Sequence, residues 1–331
     1  MNHLPRMDGA RVLITGGLGF IGSNLAHACL DLGAEVTIFD CLDPRSGGNL
    51  QNIEDIRERI EVAYHDILNF DQVSQRISGQ DFVFHCAAST SHPFSMREPW
   101  LDQDTNSRGV INLLEAARRF NRGATFVYLG TTTQLGTLRY KPADELHPEF
   151  PNDIYSANKS VAEKYVLIYS RAYSMRTFSV RLSNIYGPRA CINSPEFTFN
   201  NYFIGLALQN KPITVFGDGK QLRNILFVED AVNALIKVAH CEAQPGQAFL
   251  AVGDEHLSVA EIAQQTVRCI GSGEVRFVDW PQGRKAIDVG DAIISNARLK
   301  SATDWTPGFT IETGLARTRE YYQTCLEKYL G

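Results

Sequence analysis

A phenol and an ammonium four residues apart, Tyr155 and Lys159 in YSANK, are the sharpest chemical signal in this chain. On a helix that spacing puts both groups on one face, a turn apart. A free tyrosine, with a pKa of about 10, is a poor base at neutral pH, but a nearby ammonium and a positively charged nicotinamide ring favour its phenolate. The phenolate can then take a hydroxyl proton while the carbon's hydride leaves to an oxidised dinucleotide. Y-x-x-x-K also arises by chance as an exposed pair, so the reading needs support. Thr131, Thr132 and Thr133 follow an apolar strand pattern, and ligands of an open parallel sheet sit beyond the carboxyl ends of its strands.

The loop TGGLGFIG satisfies G-x-x-G-x-x-G through Gly16, Gly19 and Gly22, and G-x-G-x-x-G through Gly17, Gly19 and Gly22. Glycines at those places permit a tight turn, close approach of backbone N–H groups to a pyrophosphate at a helix N-terminus, and close packing of helix on strand. Asp40 ends the next strand pattern, about 20 residues on, where a carboxylate accepts the adenosine ribose hydroxyls. It would repel a 2′-phosphate, and no arginine follows until Arg45, so NAD is expected rather than NADP. The alternative for Asp40 is a strand-end turn former. Glycine loop, acidic residue, hydroxyl loop and Tyr/Lys helix occur in the order that one βα domain would bring together.

Alternating strands and helices must position these groups. Strand patterns at 11–15, 35–40, 61–64, 81–85, 124–129 and 176–182 alternate with helical patterns, notably 20–32, 99–120 and 153–173. That rhythm predicts an α/β fold with a doubly wound parallel Rossmann sheet. Beyond residue 184 the alternation weakens, with isolated helices at 259–269 and 311–329. The expected division is a dinucleotide-binding domain over 1–183, carrying the Tyr/Lys helix, and a smaller α/β lobe over 184–331, mainly for substrate, from which some strands could return to the first domain.

The 331 residues, 44% of them apolar, suffice for one large α/β unit or two domains with an ample core. A net charge of −5 leaves no basic footprint, which argues against nucleic acid or an anionic membrane as partner. No apolar run approaches the roughly 18 residues of a membrane span, and a cytoplasmic location is expected. Seven cysteines without a CxxC pair are read as reduced, buried thiols. No histidine and cysteine spacing suits a metal. There is no internal repeat, low-complexity linker or block of like charge.

TGGLGFIG, Asp66 in HDI, HCAA at 85–88, Asn106 in NSRGVINLLEAA, YSANK, RLSNIYGPR and GDGKQLRNILFVEDAV span nearly the whole chain. With this set the chain resembles an extended short-chain dehydrogenase/reductase of the NDP-sugar epimerase/dehydratase group, in the manner of the UDP-glucose 4-epimerases. The resemblance implies that Gly16, Gly19, Phe20, Ile21, Gly22, Asp40, Asp66, Ile67, Ala87 and Asn106 hold NAD, with Asp66 and Ile67 at the adenine and Lys159 also on the nicotinamide ribose. It implies Tyr155, Lys159 and Thr131 as catalytic residues. It places Thr132, Thr133, Asn184, Arg223, Arg284 and Ser95 at the sugar nucleotide, where guanidinium groups suit a diphosphate. For Arg284 a solvated charge beside Lys285 is the other reading. His92, in STSHPFSM, borders the expected sugar loop, and a satisfied loop histidine is its simpler reading.

Departures from the pattern narrow the reaction. Dehydratases and decarboxylases resembling this chain carry a carboxylate shortly after the catalytic threonine, where Thr132 and Thr133 stand here; Leu135 replaces a frequent tyrosine, and Thr90 a frequent lysine. The expectation is epimerisation of a nucleotide-diphosphate sugar through a transient 4-ketose, with Tyr155 as base. CDP-sugar 2-epimerisation, an NDP-4-ketosugar reductase or dehydratase, and a silent dinucleotide sensor are the alternatives. Related enzymes pair the helices at 99–120 and 153–173 across a two-fold axis, which implies a homodimer through a four-helix bundle.

Overall fold

Strand β1 (Arg11–Thr15) buries Val12, Leu13 and Ile14 completely, so both of its faces are apolar, as in a parallel sheet covered on two sides. The computed structural model describes residues 4–281 and 290–330. After β1 come α1 (Phe20–Asp31), β2 (Glu35–Asp40), β3 (Glu61–Tyr64), α2 (Phe70–Ile77), β4 (Phe82–His85), α3 (His92–Arg97), α4 (Pro99–Gln103), α5 (Gly109–Phe120) and β5 (Thr125–Thr131). The second half runs α6 (Ile154–Tyr173), β6 (Arg176–Leu182), β7 (Asn184–Tyr186), α7 (Phe199–Leu208), β8 (Pro212–Phe216), β9 (Leu222–Phe227) and α8 (Val228–His240). It ends with β10 (Gln247–Ala251), β11 (His256–Ser258), α9 (Val259–Ile270), β12 (Glu274–Val278), α10 (Ala297–Thr303) and α11 (Ile311–Cys325).

Seven parallel strands form the main sheet in the order β10-β6-β5-β4-β1-β2-β3. The order reverses at β1 and β4, and the crevice outside their carboxyl ends is where such a sheet binds ligands. Alternation of side chains sends Val12, Ile14, Ile38, Phe84, Val127 and Val180 into one core, and Leu13, Phe39, Val83, Phe126 and Tyr128 into the other. The first lies under α1 and α8, the second under α2, α5 and α6. Past residue 184 the chain re-enters this layer, since β10 pairs with β6 and α8 packs on β5 and β6. Two small sheets, β11-β9-β7 and β12-β8, build the lobe beside the crevice.

Three local features differ from the sequence expectation. The helix expected over 99–120 is broken by a π-helical turn at Asp104–Arg108, and Asn106 inside it donates to the Ser89 carbonyl at 2.8 Å and accepts from the Ser89 amide at 3.1 Å. Those bonds tie the loop after β4 to the helix, a reason for the widened turn that no periodicity reveals. Strand β5 continues two residues beyond the expected 129, so Thr131 ends the strand and Thr132–Leu135 form a 3-10 turn. The cysteines are unpaired, but only Cys29 and Cys241 are buried and Cys41 is exposed, because it stands just past β2 where the chain leaves the sheet.

Helix α6 presents Tyr155, Lys159, Ala162, Glu163, Val166 and Ser170 to the sheet, a stripe of helical period that mixes charged with apolar side chains. Glu163, with no exposed surface, accepts from Arg181 Nε at 2.9 Å and Nη2 at 2.6 Å and from Ser179 Oγ at 2.7 Å. Against the cost of burial, the guanidinium holds the Glu163 carboxyl below its usual range. Glu149 accepts from Arg181 as well, at 2.8 Å. This network fixes the rotation of α6 and therefore where Tyr155 and Lys159 point. Glu163→Ala leaves Glu149 as the only carboxylate hydrogen-bonded to the buried Arg181 among the described residues and should cost about 3 kcal/mol in urea unfolding. The apolar double variant Glu163→Met with Arg181→Met should recover most of that loss; a double variant as unstable as the single one would refute this account.

Candidate functional site

Above the switch point lies a cavity of about 590 Å³, walled by the glycine loop, the ends of β2, β4 and β5, and α6. The loop can take its shape only with glycine at two places. Gly16 has φ +68° and a Cβ there would lie 2.6 Å from the Ala87 backbone, while a Cβ on Gly22 would lie 2.3 Å from the Gly16 carbonyl oxygen. The chain turns so sharply that α1 begins at Phe20, directly after Gly19, an N-cap residue that offers no side-chain cap. The first N–H groups of α1 therefore face the cavity wall formed by Phe20, Ile21 and Gly22, a site suited to a pyrophosphate.

Asp40 lines the cavity beside this loop and does two jobs at once. Its carboxylate accepts the Leu18 amide at 3.0 Å and the Leu42 amide at 2.8 Å, so it shapes the loop as a turn former while its remaining lone pairs face the cavity. Burial raises its pKa, and the two amides oppose that rise. Arg45 also reaches the wall, but its guanidinium is held by Asp43, with Nε at 2.8 Å from Oδ1. Asp66, Ile67 and Ala87 lie on the same wall. Asn106 does not: it is buried behind the wall, bonded to Ser89, and acts on the cavity only through that loop.

At the other end, Thr131, Thr132, Thr133, Tyr155, Lys159 and Asn184 share the cavity. The hydroxyls form a chain, with Thr131 Oγ1 at 3.0 Å from Thr133 Oγ1, which accepts from Ser156 Oγ at 2.8 Å. Lys159 is buried, with Nζ 4.3 Å from the centre of the Tyr128 ring. Burial brings its ammonium down to about 8, although Asp102 and Glu163 pull the other way. Tyr155 runs against the expectation of a favoured phenolate. Burial pushes the phenol above its usual range and the Asp102 and Asp153 charges add to it, with the Thr131 hydroxyl opposing them. The chain's own groups thus keep Tyr155 protonated, and ionisation needs a further positive charge in the cavity. His85, bonded to Thr15 Oγ1 at 2.7 Å under this floor, is held neutral, its pKa lowered to about 3 by burial and by the Lys159 charge.

The remaining expected substrate residues are not on this wall. Ser95 is buried and donates to the His92 carbonyl at 2.8 Å, because α3 turns it inward. Arg223, on β9, donates to the carbonyls of Leu222 and Gly290 at 2.9 and 2.6 Å and so braces the small lobe. Arg284 lies outside the described residues. Two groups the sequence did not single out do belong here. Asp102, wholly buried on α4, accepts from Asn158 at 2.8 Å and acts electrostatically on both Tyr155 and Lys159. Asp153 caps α6 by accepting the Ser156 amide at 2.8 Å, and its other oxygen meets His92 Nδ1 at 2.7 Å. A D-x-x-S cap signal was available for Asp153; nothing in WLDQD marks Asp102.

Comparison with known proteins agrees with this geometry. Residues 12–251 match the model of the NAD dependent epimerase/dehydratase family. The chain is 31% identical to UDP-glucuronic acid decarboxylase 1 of Xenopus tropicalis, over 99% of this chain and 75% of that protein. It is 27% identical to CDP-paratose 2-epimerase of Salmonella typhi, over 94% and 98%. Among solved structures, UDP-glucose 4-epimerase of Thermotoga maritima superposes with a TM-score of 0.86 at 26% identity, covering 96% of this chain and 99% of that one.

Asp102→Asn keeps an acceptor for Asn158 but removes a charge that raises both Tyr155 and Lys159. Both groups should then lose their protons at lower pH, and because Tyr155 acts as the phenolate, the acidic limb of the kcat/KM profile should move to lower pH. A limb that stays put or moves upward would remove Asp102 from the electrostatics of the site.

Proposed function

Since the chain belongs to the NAD dependent epimerase/dehydratase family, we propose that it epimerises a nucleotide-diphosphate sugar through a transient 4-ketose, with Tyr155 as the proton acceptor. The observation that carries this reading is the hydroxyl wall Thr131–Thr133 facing Tyr155 and Lys159, where the reactions that go on to eliminate or decarboxylate call for a carboxylate. NAD is the cofactor of the family, and the cradle fits it: backbone N–H groups at α1 for the pyrophosphate, Asp40 for the adenosine ribose, Asp66 and Ile67 for the adenine, and Lys159 for the second ribose. When bound, NAD⁺ accepts a hydride from the sugar carbon, returns it to the other face, and brings the positive charge that the phenol lacks.

Tyr155 takes the C4 hydroxyl proton, and the Lys159 ammonium stabilises the resulting arrangement while Thr131 donates to the sugar oxygen. Asn184 borders the same cavity and faces the sugar nucleotide. The 4-ketose turns within its diphosphate anchor, and the proton returns from Tyr155. Net redox is zero, so the cofactor stays bound.

The test uses enzyme carrying substoichiometric NAD⁺ with UDP-glucose and, separately, UDP-galactose. Both should approach one isomer ratio without accumulation of free NADH, and Tyr155→Phe should turn over about 10²-fold more slowly or worse while still binding NAD. Stoichiometric NADH release, or a demand for added reduced cofactor, would replace the epimerase by a net redox enzyme. Interconversion confined to CDP-sugars differing at C2 would move the hydride step to that carbon. NAD binding with no reaction on any sugar nucleotide would leave a silent sensor.

We also propose a homodimer. On α6, Val161 and Ile168 are 41% and 53% exposed and share a helical stripe with half-buried Tyr165, opposite the face that packs on the sheet. Light scattering at micromolar concentration should give twice the chain mass, and Ile168→Glu should give a monomer. A wild-type monomer would refute the pairing.

A further inference from the structure

Besides Tyr155 and Lys159, a second titratable pair stands at the reacting end of the cavity. His92 Nδ1 lies 2.7 Å from Asp153 Oδ2. Its ring meets Tyr155 edge-on, with centroids 4.8 Å apart and an interplanar angle of 73°. The side chain is 36% exposed and forms part of the cavity wall. Because Nδ1 is taken by the carboxylate, Nε2 is the nitrogen left for a ligand, and it makes no hydrogen bond to the described residues. Neither helix needs this pair as a cap. Ser91 caps α3 by accepting the Phe94 amide at 3.1 Å, and Asp153 caps α6 through its other oxygen. An imidazole whose second nitrogen is fixed by a carboxylate, beside the phenol proposed to take the substrate's hydroxyl proton, has the build of an acid–base catalyst.

We propose that His92, oriented by Asp153, is a second acid–base group that removes and returns a carbon-bound proton next to the carbonyl formed when the substrate loses its hydroxyl proton to Tyr155 and its hydride to NAD⁺. This rests on the reading of the site as one that oxidises a sugar nucleotide. Once the ketose has formed, the adjacent C–H bond is acidified. Nε2 forms an N–H bond with that hydrogen, the C–H bond breaks, and its electron pair moves into a carbon–carbon double bond as the carbonyl becomes an enolate. Asp153 stabilises the imidazolium, and Thr131 and the protonated Tyr155 donate to the enolate oxygen. Return of the proton regenerates the ketose with no change in redox state. Thr132 and Thr133 supply no base at that place, so His92 gives the site a route to proton exchange at the neighbouring carbon, and to inversion there when the enolate turns to present its other face before the proton returns.

The imidazolium exchanges its proton with solvent, so turnover in deuterium oxide reads the step directly. NAD⁺-loaded enzyme is given UDP-, CDP-, dTDP- and GDP-hexoses, and the recovered sugars are analysed by NMR and mass spectrometry. Deuterium should enter the carbon beside the oxidised one, while the oxidised carbon, which receives its own hydride back, stays protiated. His92→Ala should lower deuterium incorporated per hydride transferred by about 10²-fold or more. Added imidazole should restore part of it, which a structural role would not allow. Asp153→Asn keeps a helix cap and should also lower the ratio. Isomer interconversion without carbon-bound deuterium in the wild type would overturn the His92 role and leave the proposed function standing, as would incorporation that survives His92→Ala. If no sugar nucleotide reduces the bound NAD⁺, both readings fall together.

Discussion

The site depends on a charged helix face pressed dry against a parallel sheet. Lys159 and Glu163 project from consecutive turns of α6 into the same layer, one over the Tyr128 ring and the other clamped by Arg181 and Ser179. Moving such groups out of water is costly, and their geometry must return that cost through aligned partners. The reward is position. A helix held by a buried bidentate ion pair cannot rotate to bring Tyr155 off the cavity wall without breaking it, so the phenol's aim is set by a contact two turns away.

The same burial decides the electrostatics. Dry surroundings lower the Lys159 ammonium and raise the Tyr155 phenol, and the negative charge of Asp102 acts on both. The phenol alone is not poised for proton transfer at neutral pH, while the ammonium is brought close to it. A positive charge entering the cavity would favour the phenolate and tip that balance.

The parts of this arrangement that rest on local spacing were legible in the sequence. The glycine loop, Asp40 at the end of β2 and the four-residue step from Tyr155 to Lys159 each have a mechanical reason that short-range geometry states directly. Contacts made between helices far apart in sequence were not. Asp102 is 56 residues from Asn158, His92 is 61 from Asp153, and neither shows a period or pattern before the chain folds. Thr131 was placed just outside its strand because the apolar run ends at Leu129 and Gly130 weakens the strand pattern, whereas pairing of Thr131 with Leu182 carries β5 two residues further. Arg223 was assigned by motif, and the fold turns its guanidinium toward the backbone of its own lobe.

Membership of the family leaves the reaction open for a physical reason. A 2-epimerase and a decarboxylase both align over nearly the whole of this chain, at 27% and 31% identity. In the proposed mechanism dinucleotide cradle, phenol and ammonium serve an oxidation that such reactions can share. The fate of the ketose is then set by the few groups that touch it once it has formed. In the mechanism proposed above those groups are three hydroxyls from one turn and the imidazole of His92 at the start of α3. The hydroxyls can hold an oxyanion but cannot carry a proton away from carbon, so in that mechanism the stereochemical range of the site would be governed by the basic ring beside Tyr155 and by the carboxylate that fixes which of its nitrogens is free.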